Sequence, residues 1–157
     1  MFTGVTREIC EQAWSVVEAA VARAAQTGVI NHYGGTLVVL DPVAADGSIL
    51  FSAHAGEVDE RTLEYATAKA RLALRTGRDT SELRDSAPHL YGRDDIKWPG
   101  GVIRHGLVVA YSGVQGEMDD MIAEWFASTV RGLCRLAFRG PDGGDAQPTP
   151  YLGRSGN

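Results

Sequence analysis

Lysine is almost missing from this chain. Of its 15 basic residues, only Lys69 and Lys97 are lysines; the rest are arginines. An arginine bias beside many alanines is a compositional habit and carries no function by itself. No run of basic residues occurs, and the formal net charge is −5. That argues against nucleic acid and against anionic membrane surfaces as partners. No apolar stretch approaches the roughly 20 residues of a membrane span. The first residues lack a basic region followed by an apolar core, so no secretory signal is read and a cytoplasmic protein is expected. Cysteine is scarce too. Cys10 and Cys134 stand apart with apolar neighbours, and two buried free thiols are expected rather than a disulfide. Without a CxxC or a Cys/His cluster, a structural zinc site is unsupported and no metal ligand is assigned. Ser112 has no Gly-x-Ser-x-Gly setting, and neither a Walker loop nor a dinucleotide fingerprint is present.

What remains is an ordinary globular composition, 44% hydrophobic and 22% charged over 157 residues. One domain over residues 1–139 fits that length. Residues 140–157, rich in glycine and proline with almost no aliphatics, read as a flexible or oligomer-contacting tail.

Hydrophobic periodicity orders the domain. Thr6 is a candidate cap for a helix over Arg7–Thr27, whose Cys10, Trp14, Val17, Val21 and Ala24 fall on one face. Tyr33-Gly34-Gly35 reads as a turn before a strand over Thr36–Leu40. Asp46-Gly47 signals a hairpin to a second strand over Ile49–His54. A second helix is expected over Val58–Thr76, with Leu63, Ala66, Ala70 and Leu74 inward and Gly77 as its stop. A short helical turn follows to Arg84, then an irregular stretch over Ser86–Pro99 that is long enough to hide a fifth strand. Gly101–His105 and Leu107–Val114 form a second hairpin about Gly106. The last helix begins near Glu117 and buries Met118, Ile122, Trp125, Thr129, Leu133 and Leu136. The expected fold is α+β: an antiparallel sheet of four to five strands from two hairpins, flanked by three long helices.

Candidate chemistry is dispersed. His32, His54, His89 and His105 are each able to carry a proton or ligate iron, but they do not form a constellation. His89 and Tyr91 lie in the long loop, from which they can reach over a ligand. Trp98 offers a flat apolar wall. Gly100 and Gly101 permit close approach of a ligand to bare N–H groups, or simply a tight entry into the strand. Lys69 sits among alanines in mid-helix. It can clamp a carboxylate, or pair with Glu117, Asp119 or Asp120 on the last helix.

Five blocks recur in a known order: Ala66-Thr67-Ala68-Lys69-Ala70; Pro99-Gly100-Gly101-Val102; Gly106-Leu107-Val108-Val109-Ala110; Ser112-Gly113-Val114; and Asp119-Asp120-Met121-Ile122-Ala123. The arrangement resembles the GlcG/HbpS-like family over roughly residues 7 to 137. The resemblance implies the α+β fold, homo-oligomers, and heme binding or heme degradation. At Ser52–Glu57 the chain departs from the charged segment usual in the family and places His54 at the implied pocket mouth. The expected function is binding of a small planar or acidic ligand, with heme a possible cofactor. The implied pocket is built from the 86–101 loop, the Lys69 helix and the second strand. Trp98, Gly100, Gly101, His89 and Tyr91 are its binding candidates. Two alternatives stand beside it. One is a cofactor-independent enzyme doing acid/base chemistry on a small organic acid through Lys69 and His54. The other is a non-catalytic accessory subunit of a metabolic pathway.

Overall fold

The computed structural model describes residues 2–140. Beyond Gly140, the expected tail lies outside the described residues. Helix α1 runs Arg7–Gln26, strand β1 Gly34–Leu40, strand β2 Ile49–Gly56, helix α2 Glu60–Thr76 and helix α3 Thr80–Ser86. A 3-10 turn at Pro88–Leu90 follows, then strand β3 Gly101–Arg104, strand β4 Leu107–Ser112 and helix α4 Gly116–Arg139. All strand pairs are antiparallel, in the order β2-β1-β4-β3. Each hairpin therefore forms one half of the sheet, and β1 against β4 joins the halves. Four strands form the described sheet; the segment considered for a fifth strand holds the end of α3 and the 3-10 turn instead. Three of the four α-helices among the described residues are long, and α3 has only seven residues.

Both faces of the sheet are covered. On one, α1 and α4 bury Leu37, Val39, Val109 and Tyr111 against Trp14, Val17, Ile122 and Phe126. On the other, α2 covers Val38, Leu40, Val108 and Ala110. Strand alternation explains this division, since successive side chains of β1 and β4 point to opposite faces. Small residues let α2 settle close: Ala66, Ala70 and Ala73 are all fully buried against the strands. Those alanines are consumed in packing inside the chain.

The caps follow the sequence closely. Thr6 Oγ1 accepts from Ile9 N at 3.3 Å and starts α1. Asp59 caps α2, and Gly77 ends it at φ +67°. Leu63, expected inward, is 39% exposed, whereas Lys69 is 1% exposed. The inward face of α4 also differs from expectation. Asp119, Ile122, Ala123, Phe126, Ala127 and Val130 are buried, while Leu136 points out and Met118, Trp125, Thr129 and Leu133 are half-buried. The helix packs on the sheet through Ile122, Phe126 and Val130 with Ala123 and Ala127 among them, while Trp125 and Leu133 are only half-buried beside that stripe. Cys10 is buried, but Cys134 is only partly so, and both are free thiols.

Gly34 and Gly35 belong to β1 rather than to a turn. Tyr111 explains them. Its hydroxyl donates to Gly34 O at 2.8 Å, and a Cβ on Gly35 would stand 2.5 Å from that hydroxyl. Gly113 packs equally tightly at φ +150°, where a Cβ would meet Gly35 Cα at 2.3 Å. This close crossing fixes the exit of β4 into α4, and that exit forms one wall of a cavity.

Candidate functional site

At the end of the sheet lies a cavity of about 450 Å³, within the usual range for small-molecule sites. Thr62, Tyr65 and Lys69 reach it from α2, three positions that share one helical face. Trp98 and Pro99 come from the long loop, Arg84 from α3, and Ser112, Gly113 and Val114 from the exit of β4. The start of α4 adds Gly116, Glu117 and Asp119. The second strand, expected in the wall, does not line it.

The polar centre is a buried ion pair. Lys69 Nζ donates to Asp119 Oδ2 at 2.9 Å, with side chains 1% and 4% exposed. Lys69 also donates to Tyr111 O at 3.1 Å. Val114 N donates to Asp119 Oδ1 at 3.0 Å. Two residues 50 positions apart thus tie the helix on one sheet face to the helix on the other. Of the two roles read for Lys69, the pairing with Asp119 is the observed one. Its charge is offset there, and among the described residues the charged ones around the cavity are two basic, Lys69 and Arg84, and two acidic, Glu117 and Asp119. The described lining has no net positive charge with which to clamp an acid.

Burial pushes the Asp119 carboxyl up from 3.8 to about 6, while Lys69 and the backbone donors pull it back. Between roughly pH 4 and 6 the folded state then holds a proton that the unfolded chain has released. The contribution of Asp119 to stability therefore falls as pH rises through that window and is level above it. The stability difference between wild type and Asp119→Asn, followed by denaturant unfolding across pH, is expected to show that slope. A flat difference from pH 4 to 7 would contradict it.

An aromatic pair forms the apolar wall. The Trp98 and Tyr65 ring centroids are 5.8 Å apart and the planes nearly perpendicular. Trp98 is 59% exposed, an unusual state for so large an apolar group. At the rim, Arg84 pairs with Asp85 at 3.0 Å and stands 3.7 Å from Glu117.

The other sequence candidates are placed differently. Gly100 and Gly101 are buried and their N–H groups are taken: Gly100 N donates to Asp120 Oδ1 at 2.7 Å, and Gly101 N to Thr80 Oγ1 at 3.0 Å. Neither offers a bare N–H to a ligand. Their smallness is needed for packing, since a Cβ on Gly100 would lie 2.5 Å from Tyr111 O, and one on Gly101 2.6 Å from Lys69 O. His89 is exposed and absent from the cavity lining. Tyr91 packs with Leu90 and Ile96 against Leu72, Leu83 and Ala87, under Lys97 at 5.3 Å, again away from the cavity. His54 is exposed, with Nδ1 2.9 Å from Thr36 Oγ1. Thr36 contacts Thr62 at 2.7 Å, so His54 reaches the cavity wall only through two hydroxyls. His32 and His105 are exposed as well. Lys69 thus lines the cavity and His54 does not. Sequence reasoning missed Thr62, Tyr65 and Arg84 as lining residues, although Tyr65 lies one helical turn before Lys69.

The site tests heme directly. Iron in heme is held by His, Cys, Met or Tyr. Among the described residues, the cavity wall contains no His, Cys or Met, and its one Tyr, Tyr65, lies against the Arg61 guanidinium. Lys69 is held by Asp119. The residues present do not fit an axially ligated heme.

Fold and cavity together define an α+β domain: one antiparallel sheet, helices on both faces, and a pocket where β4 turns into α4. The sequence profile of the family described as haem degrading protein HbpS-like matches residues 9–126, and the chain belongs to that family. Similar solved structures include Klebsiella pneumoniae protein ORFY, at TM-score 0.64 and 19% identity over 81% of this chain and 90% of that one. A double mutant of Streptomyces reticuli HbpS matches at TM-score 0.59 and 22% identity, over 82% and 88%. PduOC, crystallised as a heme complex, matches at TM-score 0.58 and 22% identity, over 81% and 95%. Comparison with functionally curated proteins gives no match.

Proposed function

We propose that this chain is a small-molecule-binding member of the HbpS-like family, whose ligand has a planar apolar body seated against Trp98 and Tyr65. The observation that carries the reading is the exposed Trp98 beside a cavity floored by a buried, fully formed ion pair. A large indole left more than half exposed at a concave site is what a stacking ligand would cover. Heme is the ligand that the family and the PduOC complex bring forward. The absence of an imidazole or thiolate in the described wall weighs against iron-ligated heme and in favour of a smaller organic molecule. Homo-oligomer formation belongs to the same proposal, and a monomer mass by light scattering at micromolar concentration would count against it.

The enzymatic alternative has one observation in its favour. Asp119 lines the cavity with its carboxyl pushed toward neutrality, as a general acid or base requires. In that reading Asp119, with Lys69 as its charge partner, replaces the pairing of Lys69 with His54.

Titration with hemin and with a set of planar organic compounds tests the proposal. Trp98→Ala is expected to keep the melting temperature within a few degrees, because the ring is mostly exposed. Its affinity for the ligand is expected to fall about tenfold or more, as a lost stacking wall implies. Unchanged affinity in this variant would remove the aromatic wall from the reading. A Soret shift typical of histidine-ligated heme would overturn the preference for a smaller ligand.

A further inference from the structure

The ion pair leaves hydrogen-bonding capacity unused. An ammonium group has three N–H donors. Lys69 spends one on Asp119 Oδ2 and one on Tyr111 O. No acceptor takes the third among the described residues, although the side chain is 1% exposed. A buried donor without an acceptor is costly, and Lys69 lines the cavity. Asp119 is partnered at both oxygens but keeps acceptor capacity. Its two oxygens have about four lone-pair sites; Lys69 and Val114 occupy two, and the Gly113 N–H stands close as a further donor. Asp119 also lines the cavity. The floor thus offers an unfilled donor beside an acceptor with capacity left, their parent atoms 2.9 Å apart. The Tyr65 and Trp98 rings line the same cavity.

We propose that the site recognises a neutral planar lactam or cis-amide, with the ligand C=O accepting from Lys69, its N–H donating to Asp119, and its ring against Trp98 and Tyr65. This rests on the reading of the cavity as a ligand site and names the ligand's class. The spacing suits that edge, because a cis-amide presents its oxygen and nitrogen side by side on one carbon. The charge count agrees. With Lys69 and Asp119 neutralising each other, an anion gains nothing net at the floor, and a carboxylate would set a negative charge against Asp119. Such repulsion in a desolvated site outweighs one hydrogen bond from Lys69. A lactam satisfies both partners without adding charge.

The test changes the ligand and leaves the protein intact. Carbostyril, a planar lactam of two fused rings, is titrated into the wild-type chain beside N-methylcarbostyril and naphthoate. The Trp98 indole N–H resonance is followed in proton–nitrogen correlation spectra, with Trp98→Ala assigning the signal. N-methylation deletes the donor and keeps the rings and the carbonyl. The expected result is saturable binding of carbostyril, with N-methylcarbostyril and naphthoate each weaker by about tenfold or more, the scale of one charge-assisted hydrogen bond. Equal affinity of the methylated compound, or tighter binding of naphthoate, overturns the lactam edge while leaving the aromatic pocket standing. A Trp98 resonance unmoved by carbostyril at millimolar concentration also overturns it. If the broader set of planar compounds leaves that resonance unmoved as well, the pocket reading falls separately.

Discussion

Lys69→Met is expected to cost about 3–5 kcal/mol of stability, the penalty for leaving one member of a buried ion pair without the other. Met keeps the apolar stem and the helix propensity, so the loss comes from Asp119 and not from packing. At 4% side-chain exposure, Asp119 would face the cavity with backbone N–H groups, those of Val114 and Gly113, as its close donors. Acidification should narrow the deficit, because a protonated Asp119 no longer needs a counter-charge; the gap to wild type should be smaller at pH 5 than at pH 8. The double variant Lys69→Met/Asp119→Leu should recover most of the loss, since a well-packed apolar pair replaces a buried ion pair at little cost. Denaturant unfolding of the three proteins at both pH values checks the set. A single variant as stable as wild type would mean that the pair is solvated in solution and cannot serve as the floor of a dry site.

Gly101→Val is expected to fail as a folded protein rather than as a binder. Its Cβ would lie 2.6 Å from the Lys69 carbonyl oxygen and 3.0 Å from Thr80 Cγ2. The first of these is backbone on α2 and cannot swing aside. The β3 backbone would have to leave α2, breaking the bond from Gly101 N to Thr80. That places the cost at or beyond the roughly 1–3 kcal/mol usual for overpacking, and a melting temperature lower by about 10 °C or more. A variant with wild-type stability and lost ligand binding would restore the glycine loop as a binding element.

These two residues show how far the sequence carried the account. Local signals were sufficient for the elements. The Thr6 cap, the stripe from Cys10 to Ala24, the Asp46-Gly47 hairpin and Gly77 all act in the structure as their chemistry predicts. The inward face of α4 was harder, because Ala123 and Ala127 carry weak hydrophobic signals beside Trp125 and Leu133, and Asp119 carries the opposite one. The long loop supplied the cavity through Trp98 but not through His89 or Tyr91, since loop geometry is set by packing against α3 and not by local pattern. Gly100 and Gly101 marked close approach correctly and its partner wrongly: the approaching group is the chain itself. Lys69 with Asp119 spans 50 positions, and a pair so far apart could enter only as one option among Glu117, Asp119 and Asp120.

The central claim is that ligand sits between Trp98 and Tyr65 above the Lys69–Asp119 pair. A crystal structure of the protein saturated with the tightest binder from the planar set tests it most directly. The account predicts ligand density stacked on the Trp98 ring, with a polar atom within hydrogen-bond distance of Lys69 Nζ. Density instead in the separate groove lined by Val5, His105 and Cys134, with the Trp98 ring uncovered, would contradict it.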